Sequence, residues 1–248
     1  MTTKSALVTG ANKGIGLETV RRLAALDYKV WLGARDAERG ETAALALRGE
    51  GLDVEWLALD VASDGSVAAA AKAVAAQSPG LEVLVNNAGV APGYVDALGP
   101  DGRYERPPSR EGVADMKATY DVNVFGPVRV TQAFLPLLLA APAARIVMVS
   151  SYLGSLARAA GSSQSPNVMG YGSSKTALNA VTLAFARELA PRGVMVNAAA
   201  PGYTATDLNA HRGGRTVQQA AEIIVRLATL EPGGPTGGYF DENGALPW

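Results

Sequence analysis

The chain has 248 residues, of which 48% are hydrophobic and 18% are charged, and this composition is typical of a globular protein with a sizeable core. Its net charge of −1 does not suggest a nucleic-acid partner or an anionic membrane surface. The absence of cysteine excludes disulfides, thiolate zinc sites and a cysteine nucleophile, and it fits a reducing compartment. We therefore expect a cytoplasmic protein, and no metal site is predicted.

The apolar segments of the chain are too short or too interrupted to suggest a membrane span. The apolar run from Ala6 to Val8 is shorter than the core of a signal peptide. The longest apolar stretch, residues 134–144, contains Pro136 and Pro142, which we expect to break it.

Short apolar runs alternate with longer helical patterns along the chain. Strands are predicted, in chain order, at residues 5–9, 29–33, 54–59, 83–86, 145–150 and 194–198. Helices are predicted between them at residues 15–26, 37–49, 66–77, 112–139 and 171–190. Most strands are continuous apolar runs, as in a parallel sheet that is covered on both faces. The alternation predicts a single α/β domain, residues 1–248, with a doubly wound parallel sheet of about seven strands.

Two loop-rich segments interrupt this alternation, at residues 91–111 and 152–170. Loops of this length in a compact domain are more often functional than idle. We expect both insertions to shape a ligand pocket.

The first strand-to-helix turn reads TGANKGIG, from Thr9 to Gly16. Gly10, Gly14 and Gly16 permit a tight turn and a close backbone approach, and the free N–H groups of the helix that follows favour a pyrophosphate. The spacing differs from G-x-G-x-x-G, and three glycines alone could serve only as a structural turn. The strand before the turn and the helix after it favour dinucleotide binding.

Several motifs in order resemble the short-chain dehydrogenase/reductase family. They are TGANKGIG, then NNAG from Asn86 to Gly89, Asn123 in DVNVFG, Ser151 at the end of a strand, YGSSK from Tyr171 to Lys175, and PGYTATD from Pro201 to Asp207. The resemblance covers essentially the whole chain, and LGARDAERG and GGYFDENG are most similar to the carbonyl-reductase branch. It implies a Rossmann fold, a nicotinamide cofactor and hydride chemistry on a carbonyl group.

Tyr171 and Lys175 are spaced one helical turn apart, which places them on the same helix face. A phenol with a pKa near 10 exchanges protons poorly at neutral pH, and a neighbouring cation lowers that pKa. We therefore predict that Tyr171 is the general acid in reduction and the base in oxidation. The resemblance implies that Lys175 also binds the nicotinamide ribose.

Two further polar residues are predicted to take part in the chemistry. Ser151 ends a strand at the carboxyl edge of the sheet, and its hydroxyl can stabilise charge on a carbonyl oxygen. Ser150 is the competing serine, and the family pattern favours Ser151. Asn123 is a poor helix former inside a predicted helix. The resemblance implies that it holds a water linking Lys175 to solvent, and the alternative is an asparagine that only kinks the helix.

The second strand ends LGARD, and its last residues indicate which nicotinamide cofactor is bound. An acidic residue about 20 positions after the glycine turn binds the ribose of NAD, whereas an arginine accepts the extra phosphate of NADP. Asp36 has that spacing, but we interpret it as the N-cap of the next helix. Arg35 then reaches the phosphate, with Lys13, Arg39 and Asn12 nearby, so the predicted cofactor is NADPH/NADP+.

The remaining cofactor contacts are implied by the resemblance alone. Asp60 and Val61 would contact the adenine; Asn86, Ala88 and Gly89 the adenine-ribose side; Pro201, Gly202, Thr204 and Thr206 the nicotinamide and pyrophosphate. The alternative for Asn86 is a structural role, joining strands at the sheet edge. The glycine turn would contribute Gly10, Asn12, Lys13, Gly14, Ile15 and Gly16.

The two insertions, and the segments after Pro201, carry the remaining candidates for the substrate pocket and for contacts between copies. Candidate pocket residues are Tyr94, Tyr104, Tyr152, Met169 and Tyr203. His211 is expected to be solvated in a mobile lid, and the tail ending in Pro247 and Trp248 either packs on the fold or edges the pocket. The insertion before Tyr171 resembles one that blocks the helix packing used in oligomers, so a monomer is favoured over a dimer or tetramer.

The predicted function is NADPH-dependent reduction of a ketone or aldehyde, a small-molecule carbonyl substrate. The alternatives are an alcohol dehydrogenase that works in the oxidative direction with the same residues, and a non-catalytic dinucleotide sensor. The sensor is disfavoured because Asn123, Ser151, Tyr171 and Lys175 are all present.

Overall fold

The computed structural model of the chain describes residues 4–100, 104–161 and 166–248. The described residues form one sheet of eight strands in the order β3-β2-β1-β4-β5-β6-β7-β8. The strands are β1 (Lys4–Thr9), β2 (Tyr28–Ala34), β3 (Val54–Ala58), β4 (Val83–Asn86), β5 (Arg145–Val149), β6 (Met195–Ala199), β7 (Tyr239–Asp241) and β8 (Gly244–Ala245). The first seven are parallel, and β8 is antiparallel to β7. The predicted doubly wound α/β fold is confirmed, with one antiparallel strand added at the edge.

Helices cover both faces of this sheet. They are α1 (Gly14–Ala24), α2 (Ala37–Gly49), α3 (Asp64–Ala75), α4 (Val113–Tyr120), α5 (Gly126–Ala140), α6 (Leu156–Ala160), α7 (Met169–Leu189) and α8 (Val217–Ala228). One apolar cluster joins α1, α2 and α8 to the sheet, and a second joins α3, α5 and α7 to the opposite face. Because both faces are covered, the central strands are almost entirely buried.

The predicted helix over residues 112–139 is present but not continuous. A single π-helical turn, Asp121–Phe125, lies between α4 and α5. The expectation that Pro136 breaks the apolar stretch is wrong, because α5 continues through Pro136 to Ala140. By length and composition alone, Val113–Ala140 could cross a bilayer, but 44% of its apolar window is buried. Core helices pass the same test, and this one packs against α3 and α7.

The strand order reverses direction between β1 and β4. From β1 the chain adds β2 and β3 on one side, and β4 and the strands after it lie on the other side. In open α/β sheets the crevice at such a switch point, beyond the carboxyl ends of the strands, is where ligands bind. The glycine turn after β1 and the NNAG segment after β4 both open onto this crevice.

The last described residues pack against the segment that follows β5. The Tyr239 ring stacks on Trp248 at a centroid distance of 5.3 Å, and its hydroxyl donates a hydrogen bond to the Ser151 carbonyl. The Ser155 hydroxyl donates to the Pro247 carbonyl at 2.7 Å. Of the two interpretations of the tail, the structure shows packing on the fold.

Candidate active site

A cavity of about 1310 Å³ runs along the carboxyl ends of the strands. It extends from Arg35 and Asp60 at the ends of β2 and β3 to Tyr171 and Lys175 on α7. This volume exceeds the roughly 300–1,000 Å³ of ordinary small-molecule pockets, as a site for a dinucleotide and a substrate requires.

The glycine turn is shaped so that backbone, rather than side chains, faces the cavity. Gly10 and Gly14 have φ of 63° and 59°, in the left-handed region that favours glycine. A Cβ on Gly16 would lie 2.5 Å from Asn87 Nδ2 and 2.8 Å from the Gly10 carbonyl oxygen. Lys13 gives α1 no side-chain cap, so the first turn of α1 is open to an anion from the cavity. The turn therefore fits a pyrophosphate.

Asn87 fixes this turn and also lines the cavity, although the sequence analysis did not single it out. Its side-chain amide donates to the Thr9 carbonyl at 2.8 Å and the Gly10 carbonyl at 3.1 Å. The Thr9 hydroxyl in turn accepts from the backbone N–H groups of Asn87 and Ala88, both at 3.0 Å. The ends of β1 and β4 are thus tied together where the cofactor is expected.

Two arginines after β2 were predicted near the cofactor, Arg35 on the phosphate and Arg39 as positive charge nearby, and the structure places them differently. Arg35 is exposed and lines the cavity beside Ala34. Asp36 caps α2, as predicted, by accepting from the Arg39 backbone N–H at 2.9 Å. The Arg39 guanidinium pairs with the same carboxylate at 2.9 Å and does not line the cavity. Only Arg35 is therefore placed where the predicted phosphate would lie.

The segment after β6 closes over the glycine turn. Lys13 forms an ion pair with Asp207, and this hydrogen bond holds the pKa of the Asp207 carboxyl below its usual value. His211 Nε2 lies 2.9 Å from the other Asp207 oxygen. His211 lines the rim of the cavity with two-thirds of its side chain exposed, in agreement with a solvated rather than catalytic histidine.

The two serines after β5 point in different directions. The Ser150 hydroxyl donates to Asn179 Oδ1 at 2.6 Å, and Ser150 is 2% exposed. The Ser151 hydroxyl accepts a hydrogen bond from the Leu153 backbone N–H at 3.3 Å and interacts with Tyr171. Since Ser150 is committed to the core, the geometry favours Ser151 as the serine that meets a ligand.

Tyr171 and Lys175 lie together at the end of the cavity. Lys175 Nζ is 5.6 Å from the centre of the Tyr171 ring and donates to the Val149 carbonyl at 2.8 Å. Lys175 is 3% exposed, and burial lowers its pKa to about 8. Burial also raises the pKa of Tyr171 to about 12, and the hydrogen bond with Ser151 opposes that rise. Burial therefore sets the direction of the Tyr171 shift, and the predicted lowering of the Tyr171 pKa by Lys175 is not seen.

Asn123 lies in the π-helical turn and is completely buried. Its Oδ1 accepts from the Val90 backbone N–H, and its Nδ2 donates to the Val90 carbonyl, both at 2.9 Å. Nδ2 also donates to the Ser174 hydroxyl at 3.1 Å, which ties the turn to α7. The asparagine thus has a structural role of its own, and the predicted proton relay stays a prediction.

The other predicted cofactor residues divide between cavity and core. Asn86 is in the core: its Nδ2 donates to the Thr131 hydroxyl at 3.2 Å, 2% of the residue is exposed, and it does not line the cavity. The remaining predicted positions all line the cavity: Gly10, Asn12, Lys13, Gly14, Ile15, Gly16, Asp60, Val61, Ala88, Gly89, Pro201, Gly202, Thr204 and Thr206.

Aromatic rings from both insertions wall the end of the cavity near Tyr171. Tyr94 stacks on Tyr104 at 5.4 Å, and burial together with a hydrogen bond to Tyr203 raises the pKa of Tyr94. Tyr152 lines the same end, with the Arg158 guanidinium 4.7 Å above its ring. Met169 does not line the cavity, contrary to expectation. No pattern in the sequence pointed to Arg158, because its segment carries no recognisable motif.

Fold and site together define the class of α/β proteins that bind a dinucleotide across the carboxyl ends of a parallel sheet. Residues 4–215 match the sequence model of the short chain dehydrogenase family. The chain therefore belongs to the short-chain dehydrogenase family of oxidoreductases, as the motifs suggested.

Comparison with individual proteins agrees with this assignment. (−)-Isopiperitenone reductase of Mentha piperita is 34% identical, and the match covers 97% of each chain. The structure of NADPH-bound carbonyl reductase from chicken fatty liver is similar with a TM-score of 0.83 and 29% identity, covering 100% of both chains. Salutaridine reductase from Papaver somniferum is similar with a TM-score of 0.82 and 27% identity, covering 96% of this chain and 99% of that one.

Proposed function

We propose that the protein is an NADPH-dependent carbonyl reductase in which Tyr171 protonates the carbonyl oxygen of a ketone or aldehyde. The observation that carries this proposal is one cavity that has Arg35 at one end and Ser151, Tyr171 and Lys175 at the other. The relatives named as reductases and the similar NADPH-bound structure support the same assignment.

The residues fit the cofactor along the whole cavity. The backbone of the glycine turn would hold the pyrophosphate, and Arg35 would accept the 2′-phosphate through its guanidinium. Lys175 would contact the nicotinamide ribose. The bound cofactor supplies the hydride that reduces the carbonyl carbon.

Each residue near the carbonyl has a separate task. The Ser151 hydroxyl donates a hydrogen bond to the carbonyl oxygen and stabilises the negative charge that develops there. Tyr171 transfers its phenolic proton to that oxygen, which yields the alcohol. Lys175, when charged, stabilises the phenolate left on Tyr171 and so makes the proton transfer easier. In the reverse direction Tyr171 would accept the hydroxyl proton of an alcohol, and the oxidised cofactor would supply the hydride acceptor.

A panel of ketones and aldehydes, followed by the absorbance of the nicotinamide, tests the proposal. We expect turnover with NADPH and a kcat/KM at least about tenfold lower with NADH, because charge-assisted hydrogen bonds contribute about 1.5–3 kcal/mol. A preference for NADH, or no turnover of any carbonyl compound, would contradict it.

Two arginine variants make a matched pair for the cofactor assignment. Arg35→Ala should raise the KM for NADPH by about 10-fold to 100-fold and leave that for NADH little changed. Arg39→Ala should have a smaller effect, because this guanidinium is paired with Asp36 outside the cavity. A larger effect on the KM for NADPH in Arg39→Ala than in Arg35→Ala would show that the assignment of the phosphate to Arg35 is wrong.

A further inference from the structure

The helix that carries Tyr171 begins only two residues before it. α7 starts at Met169, and Val168 at its N-cap provides no side-chain hydrogen bond. The first N–H groups of any α-helix lack partners within the helix, so an uncapped first turn frays readily. Tyr171 lies in this first turn, and the position of its phenol depends on how well the turn is held.

A side chain from another part of the chain supplies the missing cap. Glu111 Oε1 accepts a hydrogen bond from the Gly170 backbone N–H at 2.8 Å. Glu111 ends the 91–111 insertion and precedes α4, so it joins the starts of two helices. A carboxylate at this end of α7 also interacts favourably with the helix dipole.

The residue that receives this carboxylate leaves room for it. Gly170 is buried, and a Cβ at this position would lie 2.3 Å from Glu111 Oε1. Any other residue would displace the carboxylate or the helix start. The glycine directly before Tyr171 therefore matches the glutamate that contacts it.

The other carboxylate oxygen is buried at a cost. Glu111 Oε2 has no hydrogen-bond partner within residues 4–100, 104–161 and 166–248. Burying a polar atom without a partner is unfavourable by about 1–3 kcal/mol. Among the described residues, the hydrogen bond from the Gly170 N–H to Oε1 is the contact that offsets this cost.

The same glutamate connects the helix to the pocket wall. Its negative charge adds to burial in raising the pKa of Tyr104, which stacks on Tyr94. The insertion that lines the cavity near Tyr171 therefore also ends on the helix that carries Tyr171.

We propose that Glu111 is a positioning residue that fixes the first turn of α7 and thereby sets the Tyr171 phenol against Ser151. The catalytic part of this inference rests on the proposed function. Glu111 acts through the backbone of Gly170 and contacts neither cofactor nor substrate.

Reach, rather than charge, is the property to test. Glu111→Gln keeps an oxygen at the same distance and should retain kcat within about twofold. Glu111→Asp keeps the charge but withdraws it by one methylene, and Glu111→Ala removes it. Both should lower kcat by about 10-fold to 100-fold with little change in the KM for NADPH, because small misplacements near reacting atoms have effects of this size. Active Asp and Ala variants, or an inactive Gln variant, would overturn the proposal.

Two further measurements separate positioning from general destabilisation and from a wrong reaction. Ser63→Ala removes the N-cap of α3, where the hydroxyl accepts from the Ser66 N–H at 3.3 Å, and should lower stability without lowering kcat. Equal loss of kcat in Ser63→Ala and Glu111→Ala would overturn the proposal.

Amide hydrogen exchange at residues 169–172 should be faster in Glu111→Ala and Glu111→Asp than in the parent and Glu111→Gln. Unchanged exchange in the Ala and Asp variants would refute the positioning role even if no carbonyl substrate were found. If the parent reduces no carbonyl compound but exchange is faster in these variants, only the proposed reaction is refuted.

Discussion

The pair of Tyr171 and Lys175 shows how burial changes the chemistry of neighbouring groups. Burial raises the pKa of the phenol to about 12 and lowers that of the ammonium to about 8, so it favours the neutral form of each. The spacing of the two residues was legible in the sequence, but the extent of their burial was not. An oxidised nicotinamide beside Tyr171 would add positive charge and so lower the pKa of the phenol.

Removal of the phenolic hydroxyl separates binding from chemistry. We expect Tyr171→Phe to bind NADPH with unchanged affinity, because the glycine turn and Arg35 are untouched, and to lose about 10²–10⁴-fold in kcat. Fluorescence titration of the cofactor and steady-state kinetics measure the two quantities. Full activity in the variant would exclude Tyr171 as the general acid.

The lowered pKa of Lys175 predicts a pH dependence. Below about pH 8 the ammonium is charged and would assist proton release from Tyr171, and above it the charge is lost. We therefore expect kcat/KM for carbonyl reduction to be constant on the acidic side and to fall as the pH rises through that value. Lys175→Met should be slow throughout and should lack this alkaline fall; an unchanged pH profile in the variant would refute the assignment.

The π-helical turn at Asp121–Phe125 places Asn123 against Val90, the residue that follows the NNAG segment. π-Turns within α-helices often occur at functional sites. Here the turn brings one asparagine amide to both backbone groups of Val90 and to Ser174 on α7. Three elements that border the cavity are thus held by one side chain.

Loss of this amide should destabilise the fold as well as the site. Asn123→Ala leaves the Val90 N–H and carbonyl without their partner, and we expect the free energy of unfolding to fall by about 2 kcal/mol. Urea denaturation followed by circular dichroism measures this change. Val90→Ala is the matched control, because it retains both backbone groups and should destabilise less; equal losses would assign the effect to packing.

The strongly patterned elements were predictable from the sequence, and those that depend on tertiary contacts were not. Strands β1 to β6 were predicted because continuous apolar runs indicate burial on both faces. β7 and β8 were missed because two or three residues carry no periodicity. α8 was missed although Thr216 and Gln219 form a capping box, a pattern that predicts the start of a helix.

The candidate site divides in the same way. Ser151, Tyr171 and Lys175 lie together at the cavity, as their motifs implied. Asn86 and Asn87 are adjacent in the sequence, and only the structure shows that the first packs in the core while the second ties the glycine turn. Neighbouring residues of a strand face opposite sides, but the pattern does not say which side holds the ligand.

The cavity lies between the glycine turn, the ends of the β-strands and α7. A cofactor bound there would contact several elements of the whole molecule at once. A ligand that binds only the folded state stabilises it by about 2.7 kcal/mol at one hundred times its Kd. We expect NADPH to raise Tm by several degrees in a thermal melt, with a smaller rise for NADH at equal concentration. Arg35→Ala should reduce the NADPH effect, and an equal shift with both cofactors would contradict the predicted phosphate site.

The insertion before α7 is the basis for expecting a monomer. If that insertion blocks helix packing between copies, light scattering after size exclusion should give a mass near 25.5 kDa. Val113 and Phe125 are 66% and 51% exposed, and they are the positions to mutate if a dimer is found instead.

Ser151 is also reached from the opposite end of the chain. The Tyr239 hydroxyl donates a hydrogen bond to the Ser151 carbonyl, and Trp248 stacks on the Tyr239 ring. The Ser155 hydroxyl donates a hydrogen bond to the Pro247 carbonyl. Pro247 and Trp248, which lie in no recognised motif, thus connect through Ser155 and Tyr239 to the segment that carries Ser151. A reporter or affinity tag attached to Trp248 would disturb these contacts, so a tag used in kinetic work is better attached at residue 1.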